Sequence, residues 1–305
     1  MRKEVRENLS TRYSPESVTS EYSNTFQDWK EKFKSGEYTY PSKVLVVAGG
    51  MAKGAAAANG VAYKLSVLGI TFPGVFASSS SAMTWGMIQR GYNPLEIQRH
   101  MTSFNMDYLK HENVTDVFRN RAVYNLRNLT RHYLRYGRNG NRVEINEKPD
   151  INLGFLTTKM PEREPHLYSE GKIITGILAS GAFPVVFPPI RDNRGRLLID
   201  GDLSYKLPIG EIVDFLGFRP EEIIYAKLKS KNSASSLVRT GLGVVTNTPS
   251  LLKEKDWSDE IPVKKILIEL DSEKTKGMSP VDFHKVEQMD HIFEAGSRAV
   301  EEFFG

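Results

Sequence analysis

A run of four serines is the first feature of the chain that could carry chemistry. It lies in the stretch FASSSSA, residues 76–82, between an apolar run and a segment that ends at Gly91. A serine becomes an effective nucleophile on a sharp strand-to-helix turn, which needs small residues two positions before and after it. Ala77 and Ser81 meet that size requirement. The run is therefore a candidate nucleophile turn, and a solvated serine loop is the alternative.

An acidic turn offers the base that such a serine needs. In RLLIDGD, residues 196–202, an apolar strand ends at Asp200 and a second acid, Asp202, follows. A carboxylate at this turn can take the serine proton directly and form a Ser–Asp dyad without histidine. An ordinary Asp-Gly turn is the other interpretation. Upstream, ILASGAFPVVFPPI, residues 177–190, would either line a pocket or pack in the core.

A glycine-rich turn, GGMAKG, occupies residues 49–54. It fails as a P-loop because alanine rather than Lys-Ser/Thr follows Gly54, and it lacks the Gly-x-Gly-x-x-Gly of a dinucleotide loop. Exposed backbone N–H groups at a helix N-terminus bind an anion, either a standing phosphate or the transient oxyanion of acyl transfer. A tight chain connection without a ligand is the simpler alternative.

Two strand–turn–helix units must position the glycine turn and the serine run. The β-branched run KVLVVAGG, residues 43–50, predicts a buried strand, and the alanine-rich stretch that closes at Gly69 predicts the helix after it. Residues 70–79 predict a second strand and residues 81–91 a second helix. Consecutive units of this kind form a parallel sheet with right-handed crossovers, so the fold class is α/β. Ligands then bind at the carboxyl ends of the strands.

The composition limits the kinds of site that the chain can build. The 305 residues include no cysteine, and none of the six histidines forms a His-x-x-x-His pair, so we expect no metal and no organic cofactor. There is no run of about eighteen apolar residues and no apolar signal segment at the charged N-terminus, so we expect a soluble, unanchored chain. Residues 1–42 predict a polar arm with one helix near residues 24–36, and the globular fold is expected to begin at residue 43.

Together these segments resemble the patatin-like phospholipases, a family of serine acyl hydrolases. The glycine turn, the serine turn, a Ser-x-x-x-Pro passage and the Asp-Gly turn match it at residues 49–54, 77–81, 180–189 and 200–202. The resemblance runs from about residue 43 to the C-terminus. It implies a three-layer sandwich, with a mainly parallel central sheet between helices on both faces, and one catalytic domain over residues 43–305.

The resemblance also implies roles for individual residues. Family members usually carry the nucleophile twelve residues before the glycine of a Gly-Tyr-x-Pro segment, and twelve residues before Gly91 is Ser79. Ser79 is then the nucleophile and Asp200 the base. The N–H groups of Gly50 and Met51 are the implied oxyanion donors. The whole oxyanion turn comprises Gly49, Gly50, Met51, Lys53 and Gly54, with Lys53 at the place of the family's arginine. The implied reaction is hydrolysis of an ester-linked fatty acid from a phospholipid or related acyl lipid, through an acyl-enzyme.

Four positions depart from the family pattern. Ala77 and Ser81 replace the two elbow glycines. Met51 replaces the third glycine of the oxyanion turn, and Asp202 replaces the second glycine of Asp-Gly-Gly. A residue with a Cβ adopts a positive φ less readily than glycine, and a second carboxylate is placed to raise the pKa of Asp200 by like-charge repulsion. A catalytically impaired protein that binds lipid or a partner on the same fold is therefore the alternative function. A nucleotide-binding protein is disfavoured by the failed phosphate motifs.

A basic stretch over about residues 99–145 predicts a helical insertion. Between residues 99 and 142 it holds nine Lys/Arg against three acids, interleaved with aromatic residues. Such a stretch suits an anionic membrane surface, and a solvated helix is the alternative. If this stretch docks on a membrane, replacing four of its arginines with glutamine should weaken binding of the protein to anionic vesicles and slow hydrolysis there. Hydrolysis of a soluble ester should be unchanged. The four positions are Arg127, Arg131, Arg135 and Arg138.

The expected partners follow from the resemblance and from this charge distribution. They are the acyl-lipid substrate, an anionic membrane contacted peripherally and an activating protein, whereas nucleic acid is not expected. The expected location is cytoplasmic with peripheral membrane contact. Secretion as an injected effector, without a signal peptide, is the alternative.

Overall fold

The structure is a computed structural model, and it describes the following parts of the chain. The described residues are 17–39, 44–103, 122, 124, 151–184, 186–203, 212–213, 217–229, 263–279 and 282–305. The four arginines for which the sequence predicts membrane docking, Arg127, Arg131, Arg135 and Arg138, lie outside them.

The described residues form an eight-stranded sheet with helices packed on it. The strands are β1 (Val44–Val47), β2 (Gly74–Ser78), β3 (Leu153–Met160), β4 (Glu164–Tyr168), β5 (Ile190–Arg191), β6 (Leu197–Asp200), β7 (Ile223–Leu228) and β8 (Lys264–Ile268). The α-helices are α1 (Ser17–Ser35), α2 (Met51–Val67), α3 (Ser80–Gln89), α4 (Pro94–Ser103), α5 (Ile173–Ser180) and α6 (Val286–Phe304). Two short 3₁₀ turns cover Gly201–Leu203 and Pro220–Glu222.

The sheet is mainly parallel, and its strand order is β5-β6-β3-β2-β1-β7-β8, with β4 paired to β3. Strands β3, β2, β1, β7 and β8 run parallel to one another. This arrangement confirms the parallel α/β sheet that the two strand–turn–helix units predict. The antiparallel part, formed by β4, β5 and β6 around β3, has no counterpart in those units.

One edge of β3 is shared by two strands, and this sharing positions the site. Strand β4 pairs with residues 155–159 of β3, so β2 and β6 must both use the opposite edge. There β2 pairs with the first half of β3, ending at Ser78 opposite Leu156, and β6 pairs with the second half, beginning with Asp200 opposite Thr157. Because β6 is antiparallel to β3 and β2 is parallel, the carboxyl ends of β2 and β6 meet.

Helix α1 is part of the main hydrophobic core. Its aromatic residues recur at helical spacing, and Phe26 and Trp29 are each only 1% exposed. The Trp29 indole N–H also donates to the Ile70 carbonyl at 2.7 Å. The sequence predicts a globular fold that begins at residue 43. The structure differs, because Tyr22, Phe26, Trp29 and Phe33 of α1 pack into the main core.

The helix α2 is held by a close crossing with the last helix, α6. A Cβ at Gly60 would come within 1.9 Å of the Phe293 carbonyl oxygen, so the two helices touch backbone to backbone. Helix α2 ends near the predicted Gly69, which takes a φ of 67° just beyond it. The crossing fixes the axis of α2 and therefore the direction in which its N-terminal turn points. No helix in the described part of the chain is both long and apolar enough to cross a lipid bilayer.

Candidate active site

Ser79 occupies a sharp turn between β2 and α3. Its backbone takes φ 53° and ψ −127°, in the left-handed half of conformational space that non-glycine residues rarely enter. A hydrogen bond from the Ser79 N–H to the Ser180 Oγ, at 2.8 Å, satisfies this buried donor. The Ser180 hydroxyl in turn donates to the Leu156 carbonyl at 2.6 Å. The strand–turn–helix predicted for the serine run is thus present, with Ser79 at its apex.

Ser81 and Ala77 occupy the positions where the family pattern has glycine. Both side chains are completely buried, so the site has room for a small Cβ substituent but for little more. The Ser81 Oγ lies 2.7 Å from the carbonyl oxygens of both Val47 and Ser78, and it accepts the Ser78 N–H at 3.0 Å. Ser81 therefore ties the turn after β2 to the end of β1, which a glycine could not do.

Ser79 and Asp200 lie in direct contact. The Ser79 Oγ donates to the Asp200 Oδ2 at 2.7 Å, across 121 residues of sequence. The Asp202 N–H donates to the other carboxylate oxygen, Oδ1, at 2.9 Å, and the Asp200 main chain is held by the Thr158 hydroxyl at 2.8 Å. Asp200 is 0% exposed, so both oxygens depend on these protein donors.

The environment makes the Asp200 carboxylate hard to ionise. Burial raises the pKa of Asp200 well above its ordinary range, and the negative charge of Asp202 raises it further. The hydrogen bonds from Ser79 and from the Asp202 N–H lower the pKa and offset part of that rise. Repulsion by Asp202, which the sequence predicts, is therefore a real contribution but the smaller one. A carboxylate with a raised pKa binds a proton more strongly, as a general base requires.

The glycine turn after β1 lies against Ser79. A Cβ at Gly49 would come within 2.4 Å of the Ser79 Cβ and 2.9 Å of its Oγ, so only glycine fits there. Gly50 takes φ 129°, and Met51 takes φ 56° despite its side chain, so the departure at Met51 is accommodated at the cost of backbone strain. The Met51 N–H precedes the first helical bond, which runs from the Gly54 N–H to the Gly50 carbonyl at 2.9 Å.

This turn can hold an anion next to Ser79. The first N–H groups of a helix have no acceptor within it, and they carry the positive end of the helix dipole. Gly54, one turn further, packs its Cα against the Gly49 peptide, since a Cβ there would lie 2.3 Å from the Gly49 carbonyl oxygen. Lys53 is partly exposed on the same first turn. The glycine turn thus approaches Ser79 through Gly49, and Gly54 packs against Gly49 from the first turn of the helix.

Two contacts of the site are absent from the sequence-based prediction. The acceptor for the Ser79 N–H is Ser180, which the sequence marks only as the start of a Ser-x-x-x-Pro passage. The Ser78 hydroxyl donates to the Asp202 Oδ1 at 2.6 Å, and no local sequence pattern indicates this pairing.

The passage over residues 177–190 is partly core, because Ile177 is buried. Its Ala182 carbonyl accepts the Asp200 N–H at 3.2 Å.

Comparison with known proteins identifies the family. The sequence model of the patatin-like phospholipases matches residues 45–213, which contain every segment of the site described above. The chain belongs to the patatin-like phospholipase family. No curated protein matches the chain.

Two solved structures are similar to the chain at low sequence identity. VipD from Legionella pneumophila is 16% identical with a TM-score of 0.48, and the match covers 86% of this chain and 66% of VipD. The type III effector protein ExoU is 13% identical with a TM-score of 0.38, and the match covers 86% of this chain and 52% of ExoU. The chain therefore spans less than two thirds of the length of either protein.

Proposed function

We propose that the protein is a serine acyl hydrolase that cleaves ester-linked fatty acids from phospholipids, of the phospholipase A or lysophospholipase type. The observation that carries the proposal is the 2.7 Å hydrogen bond from the Ser79 Oγ to the Asp200 Oδ2. A serine hydroxyl is a weak nucleophile until a base accepts its proton, and the hydrogen bond to Asp200 supports that carboxylate as the base. Membership of a family of lipid hydrolases supports an acyl ester as the substrate.

In the first half-reaction, Asp200 takes the proton of Ser79 as the Ser79 Oγ attacks the ester carbonyl carbon. The negative charge that develops on the carbonyl oxygen is stabilised by the N–H groups of the glycine turn, chiefly those of Gly50 and Met51. Asp200 then gives the proton to the departing alcohol oxygen of the lipid as its bond to the carbonyl carbon breaks. The fatty acyl group remains on Ser79 until water releases it.

Substituting the two residues of the pair tests this function. Purified protein should hydrolyse phospholipid vesicles and a soluble short-chain ester, and it should be labelled covalently by a fluorophosphonate probe. Ser79→Ala should abolish all three. Ser80→Ala is the matched control, because the buried Ser80 Oγ has no hydrogen-bond partner among the described residues, and it should keep both labelling and hydrolysis.

The assay should be run with and without a cell extract, because an activating protein partner is among the expected partners. Hydrolysis that persists in Ser79→Ala would contradict the proposed nucleophile. A folded wild-type protein that neither labels nor hydrolyses any ester under either condition would instead indicate a lipid-binding or partner-binding protein on the same fold.

A further inference from the structure

A second serine–carboxylate pair lies beside the first. The buried Ser78 hydroxyl donates to the Asp202 Oδ1 at 2.6 Å. The next serine along the chain, Ser79, donates to the Asp200 Oδ2 at 2.7 Å. Two hydrogen bonds therefore join the turn after β2 to the turn after β6, and only the bond from Ser79 involves a reacting atom of the proposed mechanism.

Close contacts surround the turn that carries Asp202. A Cβ at Gly201 would come within 2.2 Å of the Leu156 carbonyl oxygen and 2.7 Å of the Ser78 Oγ, so the chain leaves β6 in direct contact with β3 and β2. The Asp202 Oδ2 borders the glycine turn, since a Cβ at Gly49 would lie 2.6 Å from it. Asp202 thus belongs to the turn after β6 and contacts the turns after β1 and β2.

The Asp200 carboxylate depends on this turn for one of its hydrogen bonds. The Asp202 N–H donates to the Asp200 Oδ1 at 2.9 Å, and the Ser79 hydroxyl donates to the Oδ2. The Thr158 hydroxyl and the Ala182 carbonyl bond the main chain of Asp200 and leave its carboxylate to other partners. The direction in which the carboxylate points is therefore controlled by Ser79 and by the Asp202 N–H.

Acylation of the nucleophile would remove one of these two bonds. An acylated Ser79 has no hydroxyl hydrogen, so it cannot donate to Asp200. In deacylation, water takes the place of the departed alcohol, and its oxygen attacks the acyl carbonyl carbon as the Asp200 Oδ2 takes its proton. The bond between that carbon and the Ser79 Oγ then breaks, and Asp200 returns the proton to the Oγ. During this step the Asp202 N–H remains to orient the Asp200 carboxylate.

We propose that Ser78 and Asp202 form a positioning pair, which keeps Asp200 aligned for water after Ser79 has been acylated. The inference rests on the acyl hydrolase function proposed above. Ser78 carries no acyl group, so its hydrogen bond to Asp202 can persist through both half-reactions. That bond holds the turn after β6 and with it the N–H that Asp202 directs at Asp200. Neither member of the pair exchanges a proton with the substrate or with water.

Removing the Ser78 hydroxyl tests the inference. In the free Ser78→Ala enzyme the Ser79 hydroxyl still orients Asp200, so the rate of fluorophosphonate labelling should match the wild type. The acyl-enzyme formed from a soluble p-nitrophenyl ester should lose its acyl group about 10-fold more slowly, because small displacements of a catalytic group slow a reaction steeply. Intact mass spectrometry of quenched samples measures the rate at which the acyl mass disappears.

Two variants of Asp202 separate its hydrogen bond from its charge. Asp202→Asn keeps an oxygen that can accept the Ser78 hydrogen bond, whereas Asp202→Ala does not. At a pH above the raised pKa of Asp200, where its carboxylate is ionised, Asp202→Asn should therefore deacylate faster than Asp202→Ala. The pH of half-maximal activity should fall in Asp202→Asn, because the negative charge that raises the pKa of Asp200 is gone. Ser78→Ala keeps that charge and should keep the midpoint of the wild type.

A double variant shows whether the two residues act as a unit. Ser78→Ala combined with Asp202→Ala should deacylate no more slowly than Asp202→Ala alone, because either change already breaks the pair. Ser80→Ala is the control for removing a hydroxyl from the same serine run. Its buried Oγ has no hydrogen-bond partner in the described part of the chain, and this variant should deacylate as the wild type does.

Each other outcome overturns the inference. If labelling and deacylation slow equally in Ser78→Ala, the pair only maintains the shape of the site. If deacylation is unchanged, the main-chain bonds of Asp200 are sufficient to align it. If Asp202→Asn is as slow as Asp202→Ala, the bond to Ser78 is not what Asp202 contributes. Failure of the underlying function has a different signature, a wild-type protein that is neither labelled by the probe nor able to hydrolyse the ester, and this result would overturn both proposals.

Discussion

The two turns that converge on the site, the one after β1 and the one after β2, carry similar backbone strain but are held in different ways. Each places a non-glycine residue in the left-handed region, Met51 at φ 56° and Ser79 at φ 53°. The turn after β2 is held by side chains, since Ser180 accepts the Ser79 N–H and Ser81 bonds the Ser78 backbone. The turn after β1 has no side-chain cap and is held by close backbone packing.

The difference corresponds to what each turn must do. Strain of about 1–3 kcal/mol per residue persists only where surrounding structure compensates for it. At Ser79 the hydroxyls of two other serines provide that compensation and fix the nucleophile in one position. At Met51 hydrogen bonds to the turn's own N–H groups would occupy the donors that a reacting oxyanion needs. Packing of glycines against their neighbours holds that turn while leaving its N–H groups available.

The largest expected effect comes from Asp200→Asn, which removes the base but keeps the shape. Turnover should fall by about 10²- to 10⁴-fold, and fluorophosphonate labelling should fall with it, because an amide cannot accept the Ser79 proton. In the wild type, activity should rise with pH through the raised pKa of Asp200, since only the ionised carboxylate is a base. Labelling that persists in Asp200→Asn at the wild-type rate would show that another group activates Ser79.

The same substitution should stabilise the protein at high pH. A carboxyl group whose pKa is raised in the folded state favours folding most at low pH, and this contribution is lost as the pH rises from the ordinary value of 3.8 through the raised pKa. The asparagine side chain does not ionise, so the stability of Asp200→Asn does not fall for this reason as the pH rises. Thermal unfolding of the two proteins across this range should show the stability of the variant increasing relative to the wild type as the pH rises, and parallel curves would contradict the raised pKa of Asp200.

Breaking the turn after β1 should have the next largest effect. Gly49→Ala places a methyl group 2.4 Å from the Ser79 Cβ and 2.6 Å from the Asp202 Oδ2, so the turn and the nucleophile must move apart. A displacement of about 1 Å in such a site costs about 10²-fold in rate. Turnover of the soluble ester measures the effect. Gly195→Ala is the control, because a Cβ there meets nothing within 4 Å. Its φ of 77° strains an alanine, so stability should fall by about 1–3 kcal/mol, but turnover should stay intact.

Removing a hydroxyl that holds the turn after β2 should affect stability before it affects chemistry. Ser180→Ala leaves the buried Ser79 N–H and the Leu156 carbonyl without their partner, at a cost of about 1–3 kcal/mol in the free energy of unfolding. Denaturant unfolding measures this cost, with the exposed Ser103→Ala as a control that should change stability little. Equal stability in both variants would mean that the turn does not depend on Ser180.

Met51→Gly should have the smallest effect. Relief of the left-handed strain stabilises the folded state by about 1 kcal/mol, and the added freedom of the unfolded chain offsets most of that gain. We therefore expect a slightly higher free energy of unfolding and unchanged turnover, because the backbone N–H is retained. A large loss of turnover would show that the Met51 side chain itself takes part in the site.

Local patterns predict much of the fold but only part of the site. Val44–Val47, Gly74–Ser78 and the helices after them follow from β-branched runs, alanine content and glycine ends, and each is present near its predicted position. The contact between Ser79 and Asp200 spans 121 residues and depends on two strands sharing one edge of β3, which no local pattern encodes. The sequence assigns helix α1 to a polar arm because charged residues separate its aromatic residues. The structure shows that these aromatic residues form one apolar face, which packs into the core.

The most direct test of Ser79 as the nucleophile is to locate the fluorophosphonate adduct within the serine run. All four serines lie in one tryptic peptide, residues 65–90, and fragment mass spectrometry can place the adduct on a single residue. Ser78 also donates to a carboxylate, so the measurement distinguishes the two pairs. We expect an adduct on Ser79 alone, and an adduct on Ser78, Ser80 or Ser81 would contradict Ser79 as the nucleophile.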